Sequence, residues 1–318
     1  MRPPALQVAV LKGGVSAERE ISLVTGAEVA RGLREAGHGV DEVDVVDPVA
    51  VLAEPAVRRS DVVFVALHGG FGEDGRIQAL LDLAGRPYVG SGPGACALTM
   101  DKHLSKHLFR SLEVDTAEWV LLDGDETTDL VAARAARLGG EVVLKRNDEG
   151  SAIDVFLRPD AATLARVWED PGRRPGRWLL ERYIPGRELT LPVVAGRPTP
   201  VIEIRPKQGF YDYRNKYTPG CTEYLCPAEL GEGVAEAVTE AGRRLWHHLD
   251  LRDMARIDFR LDPSGRLCCL EVNTIPGMTG TSLLPMGAAR LGLDFPQLCD
   301  ALCRSALERG GGQPGGLP

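Results

Sequence analysis

Residues 255–273, A-R-I-D-F-R-L-D-P-S-G-R-L-C-C-L-E-V-N, decide how this chain is read. Two apolar-alternating runs flank Ser264-Gly265, so Ala255–Asp262 and Arg266–Asn273 are predicted to form a strand hairpin. A two-residue turn at Ser264-Gly265 sets Asp258 opposite Glu271 and Arg256 opposite Asn273. The strand period of two then projects these four side chains from one face and turns Ile257, Phe259, Leu270 and Val272 to the core. Two carboxylates and an amide on one face make a hard-oxygen set suited to Mg2+, which takes a few carboxylates plus substrate phosphates. A solvated face with a cross-strand ion pair has the same pattern, and spacing alone leaves both readings open.

Upstream, the first ninety residues alternate strands (Leu6–Leu11, Val40–Val46, Val62–Leu67, Pro87–Val89) with helices. One helix carries Leu23, Ala27, Ala30 and Leu33 and ends near Gly37, and another spans Glu73–Ala84. This alternation predicts a small doubly wound α/β domain with a parallel sheet over residues 1–92. A second, mixed section over 93–184 has helices at Ala95–Phe109, Glu126–Leu138 and Asp160–Glu169. Its strands are Trp119–Leu122, Glu141–Lys145 and Trp178–Tyr183. A third section, 185–308, has strands Glu188–Val194 and Thr199–Arg205, a polar tyrosine-rich loop at 206–221, the helix Glu229–Leu249 and the final hairpin. A loop of that length without structure of its own is characteristic of a lid. The glycine- and proline-rich tail 309–318 is expected to be disordered.

Composition excludes several classes. The 318 residues carry 45 acids against 37 bases, a net charge of −8, with no basic bias of the kind that nucleic-acid binders use on phosphates. The longest apolar run, Val62–Leu67, is far short of the ~20 residues that span a bilayer. Met1-Arg-Pro-Pro-Ala-Leu has no signal-peptide core, so a cytoplasmic protein without a membrane or nucleic-acid partner is expected. The seven cysteines, with no C-x-x-C pair, read as reduced structural thiols. Only six of the bases are lysine, so a retained lysine is informative.

Glycines at 13–14, 69–72 and 150 follow apolar strands, where backbone N–H groups can face an anion, although such turns are also common without one. The chain lacks both a G-x-G-x-x-G opening a helix after the first strand and a G-x-x-x-x-G-K-[ST], which removes the main support for dehydrogenase and P-loop readings. His68 is the only histidine at the end of a buried strand. His103 and His107, one helical turn apart, read as surface residues more readily than as a metal pair.

Taken jointly, these segments resemble the D-alanine–D-alanine ligase family of the ATP-grasp superfamily. The matching motifs are G-G-V-S-A-E-R-E (13–20), L-H-G-G-F-G-E-D-G (67–75), M-D-K (100–102), F-Y-D-Y-R-N-K-Y (210–217), A-R-I-D-F (255–259), L-E-V-N-T-I-P-G-M-T (270–279) and S-L-L-P (282–285). The resemblance implies an N-terminal parallel-sheet domain followed by a two-part ATP-grasp fold, and ATP-dependent joining of two D-alanines through an acyl phosphate for peptidoglycan precursors. It implies two Mg2+ ions, replaceable by Mn2+, on Asp258, Glu271 and Asn273, with Asn273 also at the nucleotide. Lys102 and Lys145 would reach phosphates or purine, and Glu181, Tyr183, Ile184, Glu188 and Phe210 would hold the rest of ATP. Glu18, assisted by His68, would bind the first alanine's ammonium. Arg256 and the Gly277 amide would form the oxyanion pair, and Ser282 and Leu283 would seat the second alanine's carboxylate. Lys216 and Tyr217 would belong to the lid, with Tyr217 bonding towards Ser151 and Glu18. A homodimer is implied as well. The same resemblance accommodates another acceptor, D-lactate or D-serine, and a homologue that binds nucleotide without turnover.

The phosphate-covering loop departs from the family's Lys-Pro-x-x-x-Gly-Ser-Ser-Val-Gly. It reads Lys145-Arg146-Asn147-Asp148-Glu149-Gly150-Ser151-Ala152-Ile153-Asp154, with Ala152 for the second serine and Asp154 for the last glycine. Arg146 and Asp154 flank one turn, and an ion pair between them is expected because Arg146 is the nearest cation in that loop.

Overall fold

The computed structural model describes residues 3–150, 154–170, 172, 176–207 and 220–310, with three sheets among them. The first is parallel, in the order β2-β1-β3-β4, from β1 Gln7–Lys12, β2 Gly39–Asp44, β3 Val62–Val65 and β4 Tyr88–Val89. The helix Arg19–Glu35 follows β1 and buries Ser22, Thr25, Gly26, Val29, Ala30, Gly32 and Leu33. Ala27, expected on the buried face, is exposed instead, because the small residues Gly26 and Gly32 let the helix approach its neighbours on a different face. The chain's last helix, Phe295–Gly310, returns to this first sheet: Leu298, Cys299, Leu302, Cys303 and Ala306 share one core with Val8–Leu11 and Val62–Leu67. Arg309, expected in the tail, belongs to that helix and pairs with the buried Asp253 at 2.6 Å.

The central sheet is antiparallel, in the order β5-β8-β6-β7, from β5 Trp119–Leu122, β6 Val142–Arg146, β7 Phe156–Leu157 and β8 Trp178–Arg182. The single helix predicted over Ala95–Phe109 is two, Pro93–Met100 and Lys102–Ser111. Asp101 breaks it by taking an extended conformation, and its Oδ1 accepts from the Leu104 N–H at 3.0 Å as an N-cap.

The third sheet runs β12-β11-β9-β13-β14, with β10 on β9. Its strands are β9 Arg187–Val194, β10 Arg197–Pro198, β11 Ile202–Pro206, β12 Thr222–Leu225, β13 Met254–Leu261 and β14 Leu267–Asn273. The deciding hairpin β13–β14 differs from expectation twice. Its loop is Pro263-Ser264-Gly265, three residues rather than two, with Gly265 at φ +88° and Asp262 bonded to Arg266 across it. A bulge then places Phe259 opposite Cys269 but Asp258 opposite Glu271, so Leu270 is the extra residue. The two irregularities cancel, and the predicted pairs Asp258/Glu271 and Arg256/Asn273 stand. Leu270 does not face the core, whereas Ile257, Phe259 and Val272 do, and Cys269 fills the place expected for it. The helices Val234–His248 and Leu283–Arg290 complete this part of the molecule.

Candidate active site

Two clefts meet above the hairpin. The wider, of about 680 Å3, lies between the central and third sheets and is lined by Lys145, Glu181, Tyr183, Ile184, Glu188 and Leu270 among others. The narrower, of about 110 Å3, is lined by Glu18, His68, Arg256, Asn273, Gly277, Ser282 and Leu283. Both are walled by Lys102, Glu149, Gly150 and Glu271, so these four residues stand where one cleft opens into the other. Ser151, Phe210, Lys216 and Tyr217 lie outside the described residues.

In the narrow pocket, Glu18 is buried at the start of the helix Arg19–Glu35 but makes no side-chain cap bond there. Its carboxylate is close enough to Gly150 that a Cβ on that glycine would stand 2.9 Å from Glu18 Oε1, so a side chain there would have to displace the carboxylate. His68 follows β3 and is fixed from both ring nitrogens, Nε2 by Thr25 Oγ1 at 3.0 Å and Nδ1 by Glu73 at 3.3 Å. Thr25 and Glu73 were not singled out by sequence, yet both line the same pocket. Opposite, the Ser282 Oγ accepts from the Thr279 N–H at 3.0 Å, just ahead of the helix Leu283–Arg290. A helix N-terminus presented to a pocket favours an anion.

Arg256 and Asp258 share one face of β13, as the period of two requires, and form a two-pronged pair: Nε to Oδ1 at 2.9 Å and Nη2 to Oδ2 at 2.8 Å. Thr190 on β9 donates to the same carboxylate at 2.6 Å. Asp258 therefore sits behind Arg256, whereas Glu271 and Asn273 face the clefts. Among the described residues no three of His, Cys, Asp and Glu converge as a metal cluster. Glu271 and the Asn273 amide offer oxygens of the kind a hard divalent ion takes together with substrate phosphates, and Asp258 would join them by exchanging its guanidinium partner.

At the wide cleft, Lys102 opens the helix Lys102–Ser111 and donates to the Glu149 carbonyl. Burial pulls the Lys102 ammonium below its ordinary pKa, against the opposing pull of Glu271. Glu181 on β8 is fully buried and contacts Lys145 at 3.1 Å. Burial disfavours its charge, but the neighbouring lysines outweigh that and hold it below the usual carboxylate range. Glu188 on β9 faces Arg260 at 3.4 Å, and Tyr183 lies between the guanidinium groups of Arg158 and Arg260. Leu270 is the residue the sequence reading missed here, and only its bulge, invisible to strict alternation, turns it into the cleft.

The expected pair at the loop is present. Arg146 Nε is 3.6 Å from Asp154 Oδ2, and its guanidinium stacks 4.5 Å over Trp178. Asp154 has φ +51°, the left-handed region in which glycine is most at ease and aspartate is tolerated.

A parallel-sheet unit beside two antiparallel sheets that enclose a nucleotide-sized cleft defines an ATP-grasp enzyme. The family description "D-ala D-ala ligase N-terminus" matches residues 39–91, and "D-ala D-ala ligase C-terminus" matches 108–304. The D-alanine–D-alanine ligase of Synechococcus sp. (strain JA-3-3Ab) is 41% identical over 306 residues, covering 96% of this chain and 94% of that one. The D-alanine–D-alanine ligase of Anaeromyxobacter sp. (strain Fw109-5) is 43% identical over 300 residues, covering 94% and 96%. Among solved structures, D-alanine–D-alanine ligase from Bacillus anthracis complexed with ATP superposes with a TM-score of 0.82 at 30% identity, over 96% of this chain and 99% of that one. The chain belongs to the D-alanine–D-alanine ligase family.

Proposed function

We propose that this enzyme joins two D-alanines with ATP, giving D-alanyl-D-alanine, ADP and phosphate for peptidoglycan precursors. The observation that carries the reading is the junction of the clefts at Lys102, Glu149, Gly150 and Glu271, which brings a nucleotide-sized cavity against a pocket for a small zwitterion. A carboxylate oxygen of the first alanine attacks the γ-phosphorus and ADP leaves. The amine of the second alanine then attacks the acyl carbon, loses a proton, and phosphate departs with that oxygen.

Glu18, with His68 beside it, holds the first alanine's ammonium. Because Thr25 and Glu73 fix both nitrogens of His68, its ring is oriented before substrate arrives. Arg256 and the Gly277 N–H face the oxyanion of the tetrahedral intermediate, where positioned donors contribute most. Ser282 and the Leu283 N–H receive the second carboxylate at the helix N-terminus. Lys102 and Lys145 neutralise phosphate charge, Glu181, Tyr183, Ile184 and Glu188 hold purine and ribose, and Leu270 supplies an apolar wall. Asp258, Glu271 and Asn273 would hold Mg2+, which supplies charge neutralisation for phosphoryl transfer. From the sequence motifs, Ser151, Phe210, Lys216 and Tyr217 complete the set, residues 1–92, 93–184 and 185–308 form three domains, the last lending its final helix to the core of the first, and the protein works in the cytoplasm as a homodimer.

The test measures phosphate release from Mg-ATP with and without D-alanine, with product identified by mass. D-alanine-dependent release with one dipeptide per phosphate supports the reading. Tight ATP binding without release identifies a nucleotide-binding homologue, and D-lactate-dependent release giving an ester identifies another acceptor.

A further inference from the structure

Of the six lysines in this arginine-rich chain, Lys106 has no place in the reaction just described, yet it is wholly enclosed, with 0% exposure. An enclosed ammonium needs every N–H answered. It donates to Thr116 Oγ1 at 2.6 Å and to the Ala117 carbonyl at 3.1 Å, and lies 3.1 Å from Glu181 Oε2. Thr116 and Ala117 take two of its N–H bonds, and Glu181 balances its charge as an ion pair, so the ammonium is turned away from the cleft. Glu181 is thus set between two ammonium groups, Lys106 behind it and Lys145 on the cleft side, each at 3.1 Å. The Thr116 hydroxyl passes the connection on, donating at 2.8 Å to the carbonyl of Cys269 on β14, next to the bulged Leu270. One buried cation therefore ties the central sheet, through Glu181, to the third sheet, through Thr116 and Cys269, behind the wall of the wide cleft.

We propose that Lys106 is a positioning residue for the nucleotide: it neutralises Glu181 from behind, so that the charge of Lys145 is directed into the cleft, and it fixes the spacing between the two sheets there. With both lysines the trio carries a net charge of +1. Without Lys106 it carries none, because Glu181 and Lys145 then satisfy each other. The proposal rests on the reading of the wide cleft as the nucleotide end of a ligase.

The test compares steady-state kinetics of Lys106→Met, Glu181→Gln and the double variant with the wild type, varying ATP and D-alanine separately. Lys106→Met is expected to raise KM for ATP about tenfold, more than it lowers kcat, with KM for D-alanine within about twofold. The double variant restores the +1 charge and is expected to bind ATP better than the sum of the two single effects requires. Strict additivity, or equal changes in both KM values, overturns the proposal, since a residue that only fills space would give that result. If Lys106→Met does not fold, Lys106→Gln, which keeps a donor towards Thr116 while removing the charge, must give the same one-sided rise. An unchanged KM for ATP in Glu181→Gln and Lys106→Met alike overturns the nucleotide reading of the cleft itself. A rise in Glu181→Gln alone overturns only the role of Lys106.

Discussion

The hairpin β13–β14 and the stretch 146–150 both border the junction of the clefts, but they are held in place by different forces. The hairpin is fixed by its backbone: β13 lies between β9 and β14, and the ladder sets which side chains face the substrate. The stretch 146–150 has backbone bonds at Asn147, to Lys102 and Arg177, and beyond these it relies on side chains. Arg146 spans it to Asp154 and Trp178, Lys102 reaches the Glu149 carbonyl, and the buried Asn147 accepts from the His103 N–H at 2.9 Å. A ladder tolerates local irregularity while preserving the pairs that matter, as the long turn and the bulge show. A loop held by side chains needs compensating partners when its sequence changes, and Asp154 with Arg146 is such a pair.

The largest effect should come from the ladder-fixed face. Glu271→Gln keeps shape and removes a charge at the junction of the clefts, and kcat/KM is expected to fall about a thousandfold at ordinary Mg2+ concentrations. Wild-type turnover in that variant would remove the hairpin from the chemistry. Arg256→Ala should cost about a hundredfold in kcat, since it removes the proposed oxyanion donor and leaves the carboxylate of Asp258 without its guanidinium partner. Arg256→Lys should recover little of this, because an ammonium cannot reproduce the two-pronged contact.

The loop should respond more gently and in a compensable way. Arg146→Ala is expected to raise KM for ATP about fivefold, and adding Asp154→Gly should recover most of that. Additive losses in this cycle would mean that the two residues act independently and that the loop needs no side-chain brace.

The smallest difference is one of pH. Asp101 caps the helix that carries Lys102 and pairs with Arg177 at 2.7 Å, and the Arg177 carbonyl accepts from Asn147 at the base of the loop. Burial raises the pKa of Asp101, but the Leu104 N–H, Asn147 and Arg177 together hold it below the ordinary carboxylate value. A depressed folded-state pKa means the contribution is complete above the unfolded value and is lost as pH falls through the folded one, below about 4. Amide hydrogen exchange should therefore show the loop base opening in acid before β13–β14 does. Simultaneous opening would erase the distinction between the two regions.

The fold class and the cross-strand pairs of the hairpin were legible in the sequence, and other features of the packing were not. Asp258, Glu271, Arg256 and Asn273 were legible because a strand period of two survives two offsetting errors in the turn and the bulge. Leu270 was not, because a bulge is decided by three-dimensional packing and leaves no mark on alternation. The return of the helix Phe295–Gly310 to the first sheet was equally hidden, since nothing local distinguishes one apolar helix face from another. Lys106 was marked only by the scarcity of lysine, and its partners Thr116, Ala117 and Glu181 come together through tertiary structure alone.

If the two clefts form one reaction site, phosphoryl transfer to a D-alanine carboxylate precedes peptide bond formation. Supplying D-alanine labelled with 18O in its carboxylate, together with Mg-ATP, tests it most directly. One 18O atom is expected in each phosphate released, alongside an equal amount of D-alanyl-D-alanine. Phosphate released without label, or label retained wholly in the amino acid and dipeptide, would contradict it.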